Sequence, residues 1–258
     1  VRLPYDPIIT DDIYFNAPIF QGMMSRMRNS EAFCKIIGKM WDDNADRKQS
    51  IWLWGPGDSG KSVIQQLVMK ICGGLQNTCI LSPTDCSGAH WKEPLVGKQL
   101  WLVNEASIKF VNTSTYKTLT GDAMHQINPK GLPSYMVDLK GHFIFSSNDK
   151  PVLKDDPALL LRIIDCHLSA LAPEEIMDED VLWEKLEKEI PFIVGYCIKL
   201  YKDGGKKRIQ SNQDDLKQYI QEDNWNVENE FEKYFIFDEN HGEHNPIVTC
   251  VEFQQIID

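Results

Sequence analysis

The sequence predicts an α/β fold in which a parallel sheet lies between helices, and three observations predict it. Short, continuous apolar runs recur along the centre of the chain, as strands buried on both faces require. Helical segments alternate with these runs, and a glycine-rich turn joins the first run to a helix. The runs are IWLWG (51–55), QLWLVNE (99–105), HFIFSSN (142–148) and ALLLRIIDCHL (158–168), and the first helical stretch is SVIQQLVMKICGGL (62–75).

Length and composition allow a substantial core, because 258 residues with 42% hydrophobic content suffice for one or two domains. We divide the chain into an N-terminal arm and helical segment (1–48), the α/β core (49–169) and an acidic, mostly helical C-terminal region (170–258). Residues 1–18 are proline-rich and predicted to be irregular. A helix is predicted from Ser30, which suits an N-cap, because apolar residues follow at helical spacing: Phe33, Ile36, Ile37, Met40 and Trp41.

Charge is distributed unevenly along the chain. The formal net charge of −11 would count against a nucleic-acid partner if it were spread evenly. Residues 170–258, however, carry 9 Lys/Arg against 21 Asp/Glu, whereas residues 1–169 carry 18 against 17. The acidity therefore belongs to the C-terminal third, and the centre of the chain can still bind a polyanion.

Cysteine usage and hydropathy indicate an intracellular protein without a membrane partner. Seven scattered cysteines without a C-x-x-C pair predict free thiols in a reducing compartment. No apolar run reaches about 18 residues, so no transmembrane helix is predicted, and no signal segment is visible. Because the sequence begins at Val1, we expect a piece of a longer polypeptide. His241, His244 and Cys250 could form a metal site, but a polar turn is favoured because no cysteine pair completes the set.

The stretch GPGDSGKS (55–62) fits the phosphate-loop pattern G-x-x-x-x-G-K-[ST] and stands between a predicted strand and a predicted helix. Glycines allow the backbone to curl so that its N–H groups face phosphate oxygens, and the helix N-terminus adds positive potential. Lys61 is predicted to bridge the β- and γ-phosphates of ATP, and Ser62 to ligate Mg²⁺. The alternative is a glycine-rich turn that caps an ordinary helix. The predicted nucleotide-binding residues are Gly55, Pro56, Gly57, Asp58, Ser59, Gly60, Lys61 and Ser62.

Two later apolar runs end in polar residues that suit a phosphate site. QLWLVNE ends in Glu105, the candidate for polarising the attacking water and supporting the metal ion. Asn104 precedes it and cannot act as a base, although it could hold a metal-bound water. HFIFSSN ends in Asn148, an uncharged group that could bind the γ-phosphate or the water. For Glu105 the alternative is a strand-end carboxylate without a role, and asparagine is common at strand ends.

In this order, the three motifs resemble those of the superfamily 3 helicases of viruses and plasmids, which belong to the AAA+ ATPases with a P-loop NTPase core. GPGDSGKS is similar to their Walker A motif, QLWLVNEA to Walker B and HFIFSSNDKP to motif C, so the resemblance covers residues 51–168. The chain is most similar to the helicase half of poxvirus-type and phage-satellite-type primase-helicases, weakly as far as residue 238. It departs from the family in the Asn104-Glu105 pair, where two acids are usual, and at Gly131 in the hairpin turn.

The resemblance implies an ATP- and Mg²⁺-dependent replicative helicase that forms a hexameric ring on single-stranded DNA or RNA. A family hairpin that enters the ring channel matches residues 119–141; Lys130 falls at its basic position, and Lys140 and Lys150 are expected to line the same channel. Arg162 matches the arginine finger that acts on ATP in a neighbouring subunit. The family also leads us to expect an upstream primase or origin-binding domain, and a host cytoplasm, nucleus or viral factory as the location.

Other classes of function stay open on the sequence alone. One is an AAA+ ATPase that remodels proteins or packages nucleic acid without unwinding it, and another is an ATP-dependent assembly scaffold in which hydrolysis is vestigial. Lys130 could be a solvated turn lysine and Arg162 an ordinary ion-paired arginine. A GTPase is disfavoured because no Asn-Lys-x-Asp motif is present. For the acidic C-terminal third we favour a solvated helical surface over a docking site for a basic replication partner.

Overall fold

The computed structural model describes residues 5–82, 90–106, 113–121, 124–150, 157–172, 174, 176–205 and 208–210. The chain divides into two units, 1–216 and 217–258, and all described residues belong to the first. Its helices are α1 (Ile13–Asn16), α2 (Pro18–Ser25), α3 (Ser30–Lys39), α4 (Lys61–Ile71), α5 (Thr113–Gly121), α6 (Pro157–Leu160) and α7 (Glu179–Asp203). Its strands are β1 (Ser50–Trp54), β2 (Thr78–Leu81), β3 (Leu100–Val103), β4 (Met124–Ile127), β5 (Tyr135–Asp138), β6 (His142–Ser147) and β7 (Ile163–His167).

Five strands form a parallel sheet in the order β2-β3-β6-β1-β7, which confirms the predicted α/β class. Strand β6 lies between β1 and β3, with Phe145 opposite Trp52 on one side and Val103 on the other. The carboxyl ends of these three strands therefore lie side by side. Strand β2 was not predicted, because this four-residue edge strand contains a threonine and an exposed isoleucine instead of a continuous buried run.

The two faces of the sheet bury different kinds of side chain. Ile51, Leu53 and Ile144 belong to the aliphatic cluster that includes the apolar residues of α3, α4 and α7. The opposite face is aromatic: Trp52 stacks on Phe145 at 5.1 Å between ring centroids. Tyr116 of α5 packs edge-on against Phe145 on that face. Side chains alternate between the faces along each strand, so each strand contributes to both layers.

Helix α7 is part of the core that it shares with the sheet. It packs on α3 where Gly38 faces the backbone of Cys197, and a Cβ atom at Gly38 would overlap the Cys197 carbonyl oxygen. Leu186, Ile193 and Cys197 of α7 are fully buried in the aliphatic cluster. The helix predicted for the C-terminal region is therefore present in residues 179–203, and residues 211–258 lie outside the described part of the chain.

The prediction that residues 1–18 are irregular holds for residues 5–12 and is wrong for residues 13–18. Residues 13–18 contain α1 and the start of α2, where Pro18 occupies the first turn, a position that lacks an N–H partner in any helix. The buried carboxylate of Glu189 in α7 accepts the backbone N–H groups of Ile19 at 3.0 Å and Phe20 at 2.9 Å. Burial raises the pKa of Glu189, against the effect of these two donors.

Residues 26–29 then cover the outer edge of β7. Met27 forms an antiparallel bridge with Leu168, and the Arg28 N–H donates to the His167 carbonyl at 2.9 Å. The buried carboxylate of Asp165 accepts the Trp54 indole N–H and lies 3.9 Å from the Arg28 guanidinium. Free backbone N–H and C=O groups on an edge strand promote aggregation, because they can pair with another chain. This segment pairs backbone groups at the end of β7 within the chain.

Five cysteines lie in the described residues, and all five are buried free thiols. Among the described helices, none combines the length and the apolar composition that crossing a bilayer requires. The His241, His244 and Cys250 group lies outside the described residues.

We expect Gly38→Ala to destabilise the protein by about 2 kcal/mol or more, because the new methyl group must push α7 away from α3. Urea-induced unfolding measures this. Gly22→Ala is the matched control, since a Cβ atom at Gly22 meets nothing within 4 Å and alanine favours the helix by about 1 kcal/mol. Equal effects at both positions would contradict the close packing of α3 on α7.

We expect stability to fall below about pH 6.5 because of His142. This side chain is fully buried at the start of β6, and neither ring nitrogen has a hydrogen-bond partner. Burial, followed by the nearby Arg47 and Lys39, lowers its pKa well below the ordinary value, although Asp46 opposes this. The unfolded chain then takes up a proton that the folded chain excludes, so the free energy of unfolding falls by up to about 1.4 kcal/mol per pH unit.

His142→Leu should remove this part of the pH dependence. The measurement is urea unfolding of both proteins between pH 8 and pH 5. The difference between variant and wild type should grow in favour of the variant as the pH falls below 6.5, and a difference independent of pH would contradict the assignment.

Candidate functional site

Two glycines in the loop between β1 and α4 adopt positive φ angles. Gly55 has a φ of +153° and Gly60 a φ of +94°, which glycine adopts at low cost. A Cβ atom at Gly55 would also overlap the Leu168 carbonyl oxygen. Gly57 does not have a positive φ, and a Cβ atom there meets nothing within 4 Å. The third positive φ, +55°, falls on Asp58 instead.

Lys61 begins α4 and its ammonium group lies over the loop. It donates to the carbonyl oxygens of Gly55 and Pro56, both at 2.7 Å, and contacts the Ser59 hydroxyl at 3.3 Å. Desolvation lowers the pKa of Lys61, while the Asp58 carboxylate acts in the opposite direction. Gly60 is the N-cap of α4 and supplies no side-chain acceptor to the first turn. The helix N-terminus and the lysine thus place positive charge at the loop.

Glu105 follows β3 at the same edge of the sheet, with an exposed side chain and a φ of +52°. For a residue other than glycine, this backbone conformation costs about 1–2 kcal/mol. The hydrogen bond from the Ala106 N–H to the Ser146 carbonyl at 2.8 Å fixes the turn beside β6. The strain lies at the residue that the sequence selected as the catalytic acid.

Asn104 is oriented by a residue that the sequence did not indicate. The side-chain amide of Gln65, in α4, donates to the Asn104 side-chain oxygen at 2.8 Å. Gln65 is buried, so it links the first turns of α4 to the end of β3. The oxygen of Asn104 is therefore engaged, and its amide nitrogen is the group available to a ligand.

Asn148 directly follows β6, between the ends of β1 and β3, and its side chain is exposed. The turn after β6 is fixed by the Trp52 indole, which donates to the Ser147 hydroxyl at 2.9 Å; that hydroxyl donates to the Asp149 carbonyl at 2.5 Å. The structure thus brings the loop, Glu105 and Asn148 to the carboxyl edge of the sheet.

A cavity of about 630 Å³ opens beside the loop. Its walls come from Gly60, Lys61 and Ser62, from one face of α2, and from a third group: Leu171, Ile176, Met177, Glu179 and Leu182. The apolar part of the lining consists of Ile19, Met23, Leu171, Ile176 and Leu182. Arg26 also lines this cavity. The apolar lining residues and Arg26 could not be predicted from the sequence, because they lie far from the motifs along the chain.

Arg162 does not lie at the loop of its own chain. It precedes β7, and its carbonyl accepts the Ser50 N–H at 2.8 Å, so it lies at the amino end of β1. Since β1 has five residues, the loop is about 16 Å away along the strand. The Arg162 guanidinium donates to the Lys117 carbonyl at 3.1 Å and the Thr120 hydroxyl at 2.6 Å. In this conformation it caps the end of α5.

The hairpin predicted between the second and third motifs is present in the structure. Strands β4 and β5 pair antiparallel, and Lys130 lies exposed in the turn that joins them, next to Gly131 with a φ of +76°. Lys140 lies beyond the base of the hairpin and contacts Asp138 at 3.8 Å. Four-residue strands place the two lysines about 13 Å apart or more, so they do not form one cluster. Lys150 follows β6 and is half-buried.

Fold and site together define an α/β protein in which an inner strand of the sheet, β1, leads into a phosphate-loop sequence. A model of a family of unknown function, DUF5906, matches residues 53–159. None of the curated protein sequences compared with the chain matches it.

Solved structures of the C-terminal region of NrS-1 are similar in fold to this chain. The apo structure has a TM-score of 0.64 and 16% sequence identity, and the match covers 84% of this chain and 52% of that one. The A-form apo structure gives a TM-score of 0.62, again with 16% identity, and covers 83% and 52% of the two chains. The chain thus spans about half the length of these neighbours.

The backbone strain at Glu105 predicts that glycine is more stable than alanine at this position, the reverse of the usual order. At ordinary positions glycine is less stable than alanine by about 0.5–1 kcal/mol. At Glu105 we expect Glu105→Gly to be more stable than Glu105→Ala by about 1 kcal/mol, because glycine relieves the positive φ and both variants lack the carboxylate.

Thermal unfolding of the two variants, analysed as a free-energy difference, measures this. The same pair at Glu184, an exposed position in α7, provides the control and should favour alanine by about 1 kcal/mol. If alanine is the more stable residue at both positions, Glu105 is not strained.

Proposed function

We propose that the chain is an ATPase that binds the phosphates of ATP at residues 55–62. The observation that carries this proposal is the alignment of three polar strand ends, the loop after β1, Asn148 after β6 and Glu105 after β3. Neighbouring strands lie about 4.8 Å apart, so Glu105 stands about 10 Å from the loop. That spacing accommodates a γ-phosphate and a water molecule between them.

In the proposed mechanism, phosphate oxygens replace the loop carbonyls as partners of the Lys61 ammonium. The N–H groups at the start of α4 bind the same phosphates. Glu105 orients the water for attack on the γ-phosphorus, and Asn148 donates its amide N–H to the γ-phosphate or to the water. The apolar side of the cavity, Ile19 and Leu182 among others, receives the base.

The donors near the loop fit Mg²⁺. Ser62 and Glu105 are exposed oxygen ligands, and Mg²⁺ prefers few protein oxygens together with water and phosphate. The described residues contain no cluster of three His, Cys, Asp or Glu that would suit a different resident metal. When bound, Mg²⁺ would neutralise charge on the β- and γ-phosphates.

We further propose a replicative role in a virus or mobile element. The C-terminal region of NrS-1 shares the fold, and the order of the three motifs resembles that of viral primase-helicases, which supports a role related to viral replication. Lys130 at the exposed hairpin tip is a candidate contact to the backbone of single-stranded DNA or RNA. Arg162, remote from its own loop, could complete the site of a neighbouring subunit in a hexameric ring, if it leaves the end of α5. Five buried free thiols fit a reducing intracellular compartment.

One observation favours a second function, an ATP-dependent assembly scaffold with little hydrolysis. Residue 104 is an asparagine that accepts a hydrogen bond from Gln65, so Glu105 is the single acid of the Asn104-Glu105 pair after β3. A site with one acid can bind a nucleotide more readily than it can activate water. The two proposals differ in the effect of Glu105.

The first experiment is ATP hydrolysis with and without single-stranded DNA in wild type and four variants. We expect DNA to stimulate turnover, and Lys61→Ala or Glu105→Gln to reduce turnover by about 100-fold or more, since each loses charge stabilisation or water activation. Lys130→Ala should lose the stimulation by DNA. Lys188→Ala is the matched control, because Lys188 is an exposed lysine of α7 far along the chain from the motifs.

Turnover that ignores DNA and RNA but requires Lys61 would reject the helicase and leave an ATPase with another substrate, such as a protein or a packaged nucleic acid. Nucleotide-dependent assembly that survives Glu105→Gln would favour the scaffold. Absence of any ATP binding by the wild type would reject the ATPase.

A further inference from the structure

Arg26 is held at the cavity by its own backbone. It is the C-cap residue of α2, and its carbonyl accepts the Ser169 N–H at 3.2 Å. The bridge between Met27 and Leu168 fixes the next residue. The position of the Arg26 side chain is therefore set by the edge of β7 as well as by α2.

The guanidinium of Arg26 reaches the phosphate loop. Its Nη1 donates to the Ser59 carbonyl at 3.3 Å and to the Ser169 carbonyl at 3.0 Å. Its Nη2 lies 3.9 Å from the point that a Cβ atom of Gly60 would occupy. Ser59 is fully buried, so its carbonyl depends on a partner from within the protein.

The Ser59 carbonyl and the Gly60 N–H belong to one planar peptide group and point in opposite directions. A donor that fixes the carbonyl therefore fixes the direction of the N–H. Gly60, with a φ of +94° and no side chain, gives this peptide more freedom to rotate than any other residue would. Lys61 and the first turn of α4 follow immediately, so a rotated peptide would misdirect the start of the helix.

We propose that Arg26 is a positioning residue of the nucleotide site, which holds the Ser59–Gly60 peptide with its N–H directed at the phosphates. This inference rests on the proposed ATP binding at residues 55–62. Through Arg26, the segment before the α/β core also contributes to the nucleotide site. Arg28, two residues along the chain, has its guanidinium near Asp165 instead and serves as the matched control.

The test compares Arg26→Met, Arg26→Lys and Arg28→Met with wild type. Methionine keeps the apolar stem of arginine and removes every donor, whereas lysine keeps a charged donor. Titration with a fluorescent ATP analogue and Mg²⁺ should show affinity weakened about tenfold or more in Arg26→Met, because a charged hydrogen bond to the loop is lost. Arg26→Lys should recover part of the affinity, and Arg28→Met should stay within about twofold of wild type.

A second readout does not require nucleotide. Amide hydrogen exchange of the peptide that contains residues 55–62 should be faster in Arg26→Met than in wild type and in Arg28→Met, because the loop opens more easily. A role limited to fold stability would instead accelerate exchange throughout the described core and lower the unfolding temperature.

Three outcomes are decisive. Equal affinity and equal loop exchange in Arg26→Met and wild type overturn the inference while the ATPase proposal stands. Should wild type fail to bind the ATP analogue, the proposed function fails, and Arg26 is then judged by loop exchange alone. If Arg26→Met does not fold, Arg26→Ala, which also removes every donor, carries the same two measurements, and wild-type values in both overturn the inference.

Discussion

The parallel register of β1, β6 and β3 is the constraint on which the candidate site depends. Strand β6 lies between the other two, and Phe145 is level with both Trp52 and Val103. Strands β1 and β6 therefore end at the same level, and β3 ends two residues earlier, so that the residues that follow all three strands lie at one edge of the sheet. A shift of β6 by one residue would turn Asn148 to the opposite face of the sheet and move Phe145 out of its stack on Trp52. The aromatic layer therefore fixes the site geometry indirectly, since the buried rings tolerate one register only.

The N-terminal segment contributes to the site because α7 binds it. Glu189 accepts two N–H groups at the start of α2, and Gly195 leaves room for the backbone of Ile8, whose N–H donates to the Pro191 carbonyl at 2.9 Å. With α2 fixed in this way, one of its faces becomes a wall of the cavity beside the loop. The third wall includes Glu179 and Leu182 of α7 itself. A nucleotide in this cavity would contact both ends of the described chain as well as its centre.

The sequence predicted those features of the fold and the site that depend on a local pattern of residues. Buried parallel strands read as apolar runs, and a phosphate loop has a fixed spacing, so β1, β3, β6, Lys61, Glu105 and Asn148 could be placed in advance. The contacts of Arg26 with Ser169 and of Glu189 with the start of α2 could not be predicted. These partners lie 143 and 169–170 residues away along the chain and leave no periodic signal. The positive φ of Asp58, at a position next to Gly57, is a feature that residue type alone does not reveal.

In the described chain, backbone strain and desolvation cost stability at the carboxyl edge of the sheet, and a buried histidine costs stability at the amino edge. At the carboxyl edge of the sheet, Glu105 and Asp58 adopt positive φ angles, and desolvation lowers the pKa of Lys61. Asp58 and Lys61 line the cavity beside the loop, so a phosphate can offset the cost of desolvating the Lys61 ammonium by supplying negative charge and hydrogen bonds. At the amino edge, His142 is buried without a partner, and no proposed ligand lies near it. The cost at Lys61 can be recovered on binding, whereas the cost at His142 is a permanent loss of stability. Nucleotide should therefore stabilise the loop more than the start of β6.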